Sequence, residues 1–269
     1  MSETLTAVLL GIVEGLTEYL PVSSTGHLIL ATELLGYDAG RWALFNIAIQ
    51  PGAILAIIVL YWRTFWGVFT GLFVRDPQAW RFVRNLLVAF VPAVIIGLAF
   101  ADRIDGLLGS ASVVAWALIV GGVAIIGIER WADPPAEGLS GGVAGVTLKQ
   151  SIGVGLVQCL AMVPGVSRSG ATILGAISLG VDRRTAAEFS FFLAVPTLTG
   201  ATVLQLAKHG DQLQPGDGQL ILVGAAVSFV VALAVVKLFV AVITRTGFAP
   251  FGWYRIVAGG AALLWLGLR

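Results

Sequence analysis

Charge is scarce in this sequence. Of 269 residues only 12% are charged, against 58% hydrophobic, and histidine occurs twice. Soluble domains carry about 25% charged residues, so with a mean hydropathy of +0.94 a water-soluble globular fold is excluded. A net charge of +1 gives no basic field for nucleic acid. The single cysteine, Cys159, rules out an intramolecular disulfide and a cysteine-rich metal site, and it reads as a small buried apolar residue. A basic n-region is missing too. Met1-Ser-Glu-Thr opens the chain and the first apolar run meets Glu14 and Glu18, so no signal peptide is expected. The expectation is an all-α integral membrane protein with several spans.

Apolar runs of crossing length, roughly 17–25 residues, fall at about 42–62, 83–101, 111–129, 186–207, 219–243 and 251–268. Two further apolar stretches, about 4–35 and 148–180, are broken by Pro, Gly and Ser. Each reads as a re-entrant helical hairpin with a non-helical tip, which the membrane tolerates only inside protein or a wet cavity. Arg63, Arg75, Arg81 and Arg84, then Arg130 and Lys149, Arg183 and Arg184, and Arg245 mark one set of loops. The alternate loops, 36–41 with Arg41, 102–110 and 208–218, are poorer in Lys and Arg. By the positive-inside bias the first set is cytoplasmic. Lys237, within the 219–243 run, snorkels to that edge. The two hairpins then enter from opposite sides. This gives one membrane domain, 1–269, built as an inverted-topology repeat. Halves of about 1–130 and 148–269 each hold one re-entrant hairpin and three transmembrane helices (six full spans, two hairpins), joined by a polar cytoplasmic linker at about 131–147.

The sequence itself repeats. Residues 11–30 align without gaps on 155–174, with Gly, Val, Leu, Val, Ser, Gly, Ile and Leu coinciding, and Phe45 and Phe189 keep the same offset. Inverted repeats bring interrupted elements together near the midplane, where such proteins place their sites.

The polar residues concentrate at the two breaks. The first is Glu14-Gly-Leu-Thr-Glu18-Tyr-Leu-Pro-Val-Ser-Ser24-Thr25-Gly26-His27, and the second is Pro164-Gly-Val-Ser167-Arg168-Ser169-Gly-Ala-Thr172. Ionisable groups are costly in a bilayer and mark function when retained. Ser24, Thr25 and Gly26, and Ser167 to Gly170, precede helices whose free N–H groups suit phosphate. Arg168 adds a planar cationic fork that matches phosphate oxygens. Glu14 and Glu18, spaced i, i+4, share a face and repel. They hold a divalent cation bridging a pyrophosphate, orient His27, or bond free backbone N–H groups. Two carboxylates alone make a weak metal site. His27 follows Ser24 at i+3, offering a nucleophile and a base, with Glu18 as the carboxylate that fixes the imidazole. Elsewhere, Asn46 and Gln50-Pro51-Gly52 read as a kink facing the site, and His209 as a solvated loop residue.

The two motifs resemble the signatures of the bacterial undecaprenyl-diphosphate phosphatases, the bacitracin-resistance family, and the likeness covers essentially the whole chain. It implies hydrolysis of undecaprenyl pyrophosphate, recycling the lipid carrier for peptidoglycan synthesis, at a site open to the outer face of the plasma membrane. It also implies Glu14, Glu18, Ser24 and His27 as catalytic residues and Ser167, Arg168, Ser169 and Thr172 as phosphate-binding. In the preferred reading Ser24 attacks the terminal phosphorus while His27 and Glu18 handle protons. Water is the alternative nucleophile. Glu14 positions the pyrophosphate with Mg²⁺ or Ca²⁺ and no tightly bound cofactor. The expected partners are a polyprenyl pyrophosphate and the bilayer, without nucleic acid. Gly-rich spans permit a homodimer. The competing reading is a transporter or flippase for an anion or polyprenyl phosphate, using the same pocket.

Overall fold

A computed structural model of the chain describes residues 2–37, 39–107, 110–132, 134–138 and 141–268. Positions 133, 139 and 140 of the expected linker therefore lie outside the described residues. All regular structure in the described residues is helical. The first half holds α1 (Glu3–Thr17), α2 (Ser24–Leu34), α3 (Ala39–Ala48), α4 (Gln50–Leu60), α5 (Trp62–Phe73), α6 (Pro77–Ala99), α7 (Ala101–Leu107) and α8 (Ala111–Trp131). The second holds α9 (Leu148–Gln158), α10 (Arg168–Ser178), α11 (Arg183–His209), α12 (Asp217–Thr246) and α13 (Ala249–Gly267).

Among the described residues five helical stretches are long and apolar enough to cross a membrane: Trp42–Leu60, Pro77–Ala99, Ala111–Trp131, Arg183–Gln212 and Asp217–Thr246. They match five of the six expected spans. The sixth, 251–268, is a helix but does not join them, because Pro250, Trp253, Tyr254 and Arg255 dilute its apolar character. Large apolar side chains such as Val120, Leu222 and Val230 stay exposed on these helices. That is the surface a chain leaves when its solvent is lipid. His209 is the last residue of α11, not a loop residue, and its Nδ1 lies 2.9 Å from Gln205 Oε1.

Both expected hairpins break where Pro, Gly and Ser cluster. The α1 helix stops at Thr17 and α2 starts at Ser24. Likewise α9 stops at Gln158, a 3-10 turn spans Cys159–Met162, and α10 starts at Arg168. The coinciding glycines of the sequence repeat do the same physical job. A Cβ on Gly11 would come within 2.5 Å of Gly224 O on α12, and one on Gly155 within 2.5 Å of Ala89 O on α6. Each lets the first helix of its hairpin press against the backbone of a long helix. A buried aromatic cluster backs the hairpins: Phe192 meets Tyr61, Phe65 and Phe82, and Tyr19 meets Phe191 edge-on at 5.3 Å.

Candidate active site

Two serines set the geometry of the tips. Ser23 (φ 73) and Ser167 (φ 77) both take left-handed backbone conformations, which cost a non-glycine residue about 1–3 kcal/mol each. Each caps the helix that follows: Ser23 Oγ accepts from Gly26 N at 3.2 Å, and Ser167 Oγ from Gly170 N at 3.0 Å. The strained turns aim the first N–H groups of α2 and α10, with their positive dipole ends, into the protein. The tips touch. Ser169 Oγ donates to Leu20 O at 2.7 Å, and a Cβ on Gly26 would lie 3.3 Å from Gly165 Cα.

Across this contact runs a chain of polar groups. Ser24 Oγ donates to Glu18 Oε2 in a short hydrogen bond, and Glu18 Oε1 accepts from Arg168 Nη2 at 2.8 Å. The other Arg168 nitrogen, Nη1, donates to Ser190 O at 2.8 Å. Its Nε is buried without a partner, and the guanidinium stands 5.8 Å over the Tyr19 ring. Tyr19 is itself held by its hydroxyl donating to Ala53 O at 2.8 Å. A serine hydroxyl aimed at a carboxylate that is fixed by an arginine has the geometry that a nucleophile and its base require. The arginine pairs with the carboxylate and holds it in place.

These groups close the polar end of a cavity of about 470 Å³. Glu18, Ser23, Ser24, Thr25, Ser167 and Arg168 line it there, with Gln50, Gln158 and Thr197. Apolar walls come from Phe90, Ala93, Val94 and Leu98 on α6 and from Leu198, Ala201 and Leu204 on α11, and Asp105 and Gln205 also line it. Gln50 follows directly on a helix break at Ile49 and lines the cavity, whereas Asn46, Pro51 and Gly52 of the expected kink do not.

Several expected residues stand elsewhere. Gly26, Ser169 and Thr172 do not line the cavity. Ser169 clamps the first hairpin, and Thr172 Oγ1 bonds Arg168 O at 2.9 Å and Ser190 Oγ at 2.7 Å, so it braces the arginine. Glu14 is wholly buried, both its oxygens unpartnered. Both oxygens of Glu18 are already bonded. Among the described residues no group of three or more His, Cys, Asp or Glu could hold a metal ion. Glu14 and Glu18 are the carboxylates that would hold an ion here, and Glu18 already has both oxygens engaged by Ser24 and Arg168.

The expected pairing of His27 with Ser24 and Glu18 needs correcting. Its Nδ1 lies 2.8 Å from Ser23 O, which can only accept, so Nδ1 donates. Its Nε2 lies 2.7 Å from Tyr254 Oη on α13, and the two rings stack 5.6 Å apart at 10°. The imidazole thus latches α2 to α13, away from the cavity. If this latch is the whole role, His27→Ala and Tyr254→Phe should lower turnover by similar factors, about tenfold or less, and the double variant should be no worse than the more affected single one. Initial rates of the three variants check this. A His27→Ala loss orders of magnitude beyond that of Tyr254→Phe would return the histidine to proton transfer.

One functional residue escaped the sequence reading. Arg255 is 1% exposed and all its nitrogens donate to backbone carbonyls. Nη1 reaches Pro21 O (3.1 Å) and Val166 O (2.9 Å), Nη2 reaches Gly165 O (2.8 Å) and Ala117 O (3.0 Å), and Nε reaches Leu118 O (3.3 Å). It ties both tips to α8. Any side chain at Gly121 would collide with the guanidinium. A lone arginine inside an expected span was the available signal. Arg255→Leu strands those carbonyls, each worth about 1–3 kcal/mol when buried and unmet. We expect a lower thermal midpoint in detergent and a turnover reduced about a hundredfold in whatever remains folded.

Comparison with known proteins gives one consistent answer. Residues 7–261 match the family described as bacitracin resistance protein BacA. Over the full length of both chains the sequence is 62% identical to an undecaprenyl-diphosphatase of Novosphingobium aromaticivorans. It is 55% identical to one of Sphingopyxis alaskensis, with 99% of each chain covered. To one of Bdellovibrio bacteriovorus it is 46% identical, over 97% of this chain and 95% of the relative.

Proposed function

This chain belongs to the bacitracin resistance protein BacA family, and from that premise we propose that it is an undecaprenyl-diphosphatase. It hydrolyses undecaprenyl pyrophosphate to undecaprenyl phosphate and inorganic phosphate, which returns the lipid carrier to cell-wall synthesis and confers bacitracin resistance. One observation carries the mechanism: the Ser24–Glu18–Arg168 chain lines a cavity whose walls on α6 and α11 are largely apolar. The apolar walls suit a polyprenyl chain and the polar end suits its diphosphate.

In the proposed reaction the terminal phosphate lies against Arg168 and the N–H groups opening α2 and α10. Ser24 Oγ attacks the terminal phosphorus as its proton passes to Glu18. The bond from that phosphorus to the bridging oxygen breaks, and polyprenyl phosphate leaves with both electrons of that bond. Glu18 gives that proton to the departing phosphate, then takes one from the water that attacks the phosphoserine and returns it to Ser24 Oγ as the bond from phosphorus to the serine oxygen breaks, releasing inorganic phosphate. Catalysis of this kind rests on positioning and charge neutralisation more than on covalent chemistry. Any divalent ion is read as arriving on the substrate diphosphate. Chelator should then abolish phosphate release, and added Mg²⁺ or Ca²⁺ should restore it with a requirement that follows substrate concentration. A requirement independent of substrate would contradict a substrate-borne ion.

The proposal extends to topology. Two re-entrant hairpins and six spans related as an inverted repeat account for reciprocal packing: α1 lies on α12 as α9 lies on α6, and α4 on α12 as α11 on α6. Orientation follows from the arginine-rich loops, which are assigned to the cytoplasm. The cavity is lined beyond its apolar walls by Ala101, Ile104, Asp105 and Gln205, beside the Lys/Arg-poor loops. It therefore opens to the outer face of the plasma membrane. Phosphate release from undecaprenyl pyrophosphate by the purified chain in detergent tests the activity. Cysteine labelling of loops 102–110 and 208–218 by an impermeant reagent in whole cells tests the orientation.

A further inference from the structure

Inside the cavity one polar side chain has no assigned work. Gln158 ends α9 and is 2% exposed. Thr197 Oγ1 shares its one proton between Leu193 O at 2.8 Å and Gln158 Oε1 at 3.3 Å, while Gln158 Nε2 is buried and has no partner. Both residues line the cavity. A buried amide donor left unmade costs stability, and it invites an acceptor where the cavity is empty of protein. Gln158 stands in the second hairpin where Glu14 stands in the first. An amide there can approach an anion that a carboxylate would repel.

The position along α11 identifies that anion. Ser190 holds Arg168, Thr197 holds Gln158, and Leu204 belongs to the apolar wall. They are spaced along one helix at intervals of about 10 Å, at 1.5 Å rise per residue. The order from Arg168 through Gln158 to the apolar wall is the order of terminal phosphate, inner phosphate and prenyl chain in the substrate. We propose that Gln158 Nε2, with the amide fixed by Thr197, donates to the prenyl-side phosphate and forms a subsite separate from the Arg168 end. This rests on the diphosphatase reading and names the part of the site that holds the lipid product.

The two products separate the subsites. Undecaprenyl phosphate takes the Gln158 subsite, and inorganic phosphate takes the Arg168 end. In Gln158→Leu, the KM for undecaprenyl pyrophosphate and the inhibition constant of undecaprenyl phosphate should each rise about tenfold, the effect of losing one hydrogen bond to a charged acceptor. The inhibition constant of inorganic phosphate should stay within about twofold of wild type. Gln158→Glu should lose more, through repulsion. Thr197→Val should shift the lipid product alone and by less, which keeps the test open if Gln158→Leu does not fold. Equal shifts for both products, or a fall in kcat with neither product constant moved, would overturn the assignment. Wild-type phosphate release, measured in the same series, tests the diphosphatase reading on its own.

Discussion

Replacing Arg168 by alanine should lower phosphate release by about three orders of magnitude or more. An arginine that neutralises the transferring phosphoryl group supplies about 10³–10⁵ in rate, and Arg168 is the cation at the polar end of the cavity. The substitution also removes the partner of Glu18, whose carboxylate is buried. Breaking a buried ion pair on one side costs about 3–5 kcal/mol. Activity and thermal midpoint should therefore fall together. Arg168→Lys separates the two effects. A lysine keeps a charge for Glu18 but lacks the planar fork that reaches Glu18 and Ser190 at once. Its midpoint should recover most of the loss while turnover stays about a hundredfold down. Turnover near wild type in Arg168→Lys would show that only charge matters there.

Ser24→Ala should be as severe. A nucleophile acting with its base as a unit costs several powers of ten when removed, whereas a hydroxyl that merely donates one hydrogen bond to phosphate costs about tenfold to a hundredfold. The expected loss is on the order of 10³-fold or greater. Glu18→Gln should match it, because the amide can still meet Ser24 but cannot take its proton. Ser24→Ala leaves the Glu18–Arg168 pair intact and should purify as folded protein, whereas Glu18→Gln removes one side of that buried pair and should also lower the thermal midpoint. The loss measured in Ser24→Ala can then be read as chemistry.

The architecture was legible because lipid is a strict solvent. Ionisable residues in apolar surroundings pointed to both tips, and Gly11 and Gly155 matched in the alignment because each must admit a neighbouring backbone. The expected sixth span, 251–268, does not qualify as a crossing helix, since Tyr254 and Arg255 are polar for reasons that lie on other helices. Within the site, Ser24, Glu18 and Arg168 converge as expected. The i, i+4 spacing of Glu14 and Glu18 hid a difference that only the end of a helix creates. Glu14 sits inside α1 and is sealed, while Glu18 caps it and reaches across to the second hairpin. His27 misled for a related reason. Its spacing from Ser24 fixes their separation along α2, but Tyr254, far away in sequence, decides where the imidazole turns. Arg255 and Gln158 have partners that no motif names, backbone carbonyls in one case and Thr197 on α11 in the other.

In the proposed reaction Ser24, activated by Glu18 beside Arg168, carries the terminal phosphate. The most direct measurement is a single turnover on labelled undecaprenyl pyrophosphate, quenched in acid, with phosphate release and label on the protein followed in wild type and Ser24→Ala. The account predicts label on a peptide containing Ser24 that rises and falls ahead of free phosphate, and a Ser24→Ala rate lower by about a thousandfold or more. Phosphate release by Ser24→Ala within about tenfold of wild type, with no label on the protein in either, would contradict it and make water the nucleophile.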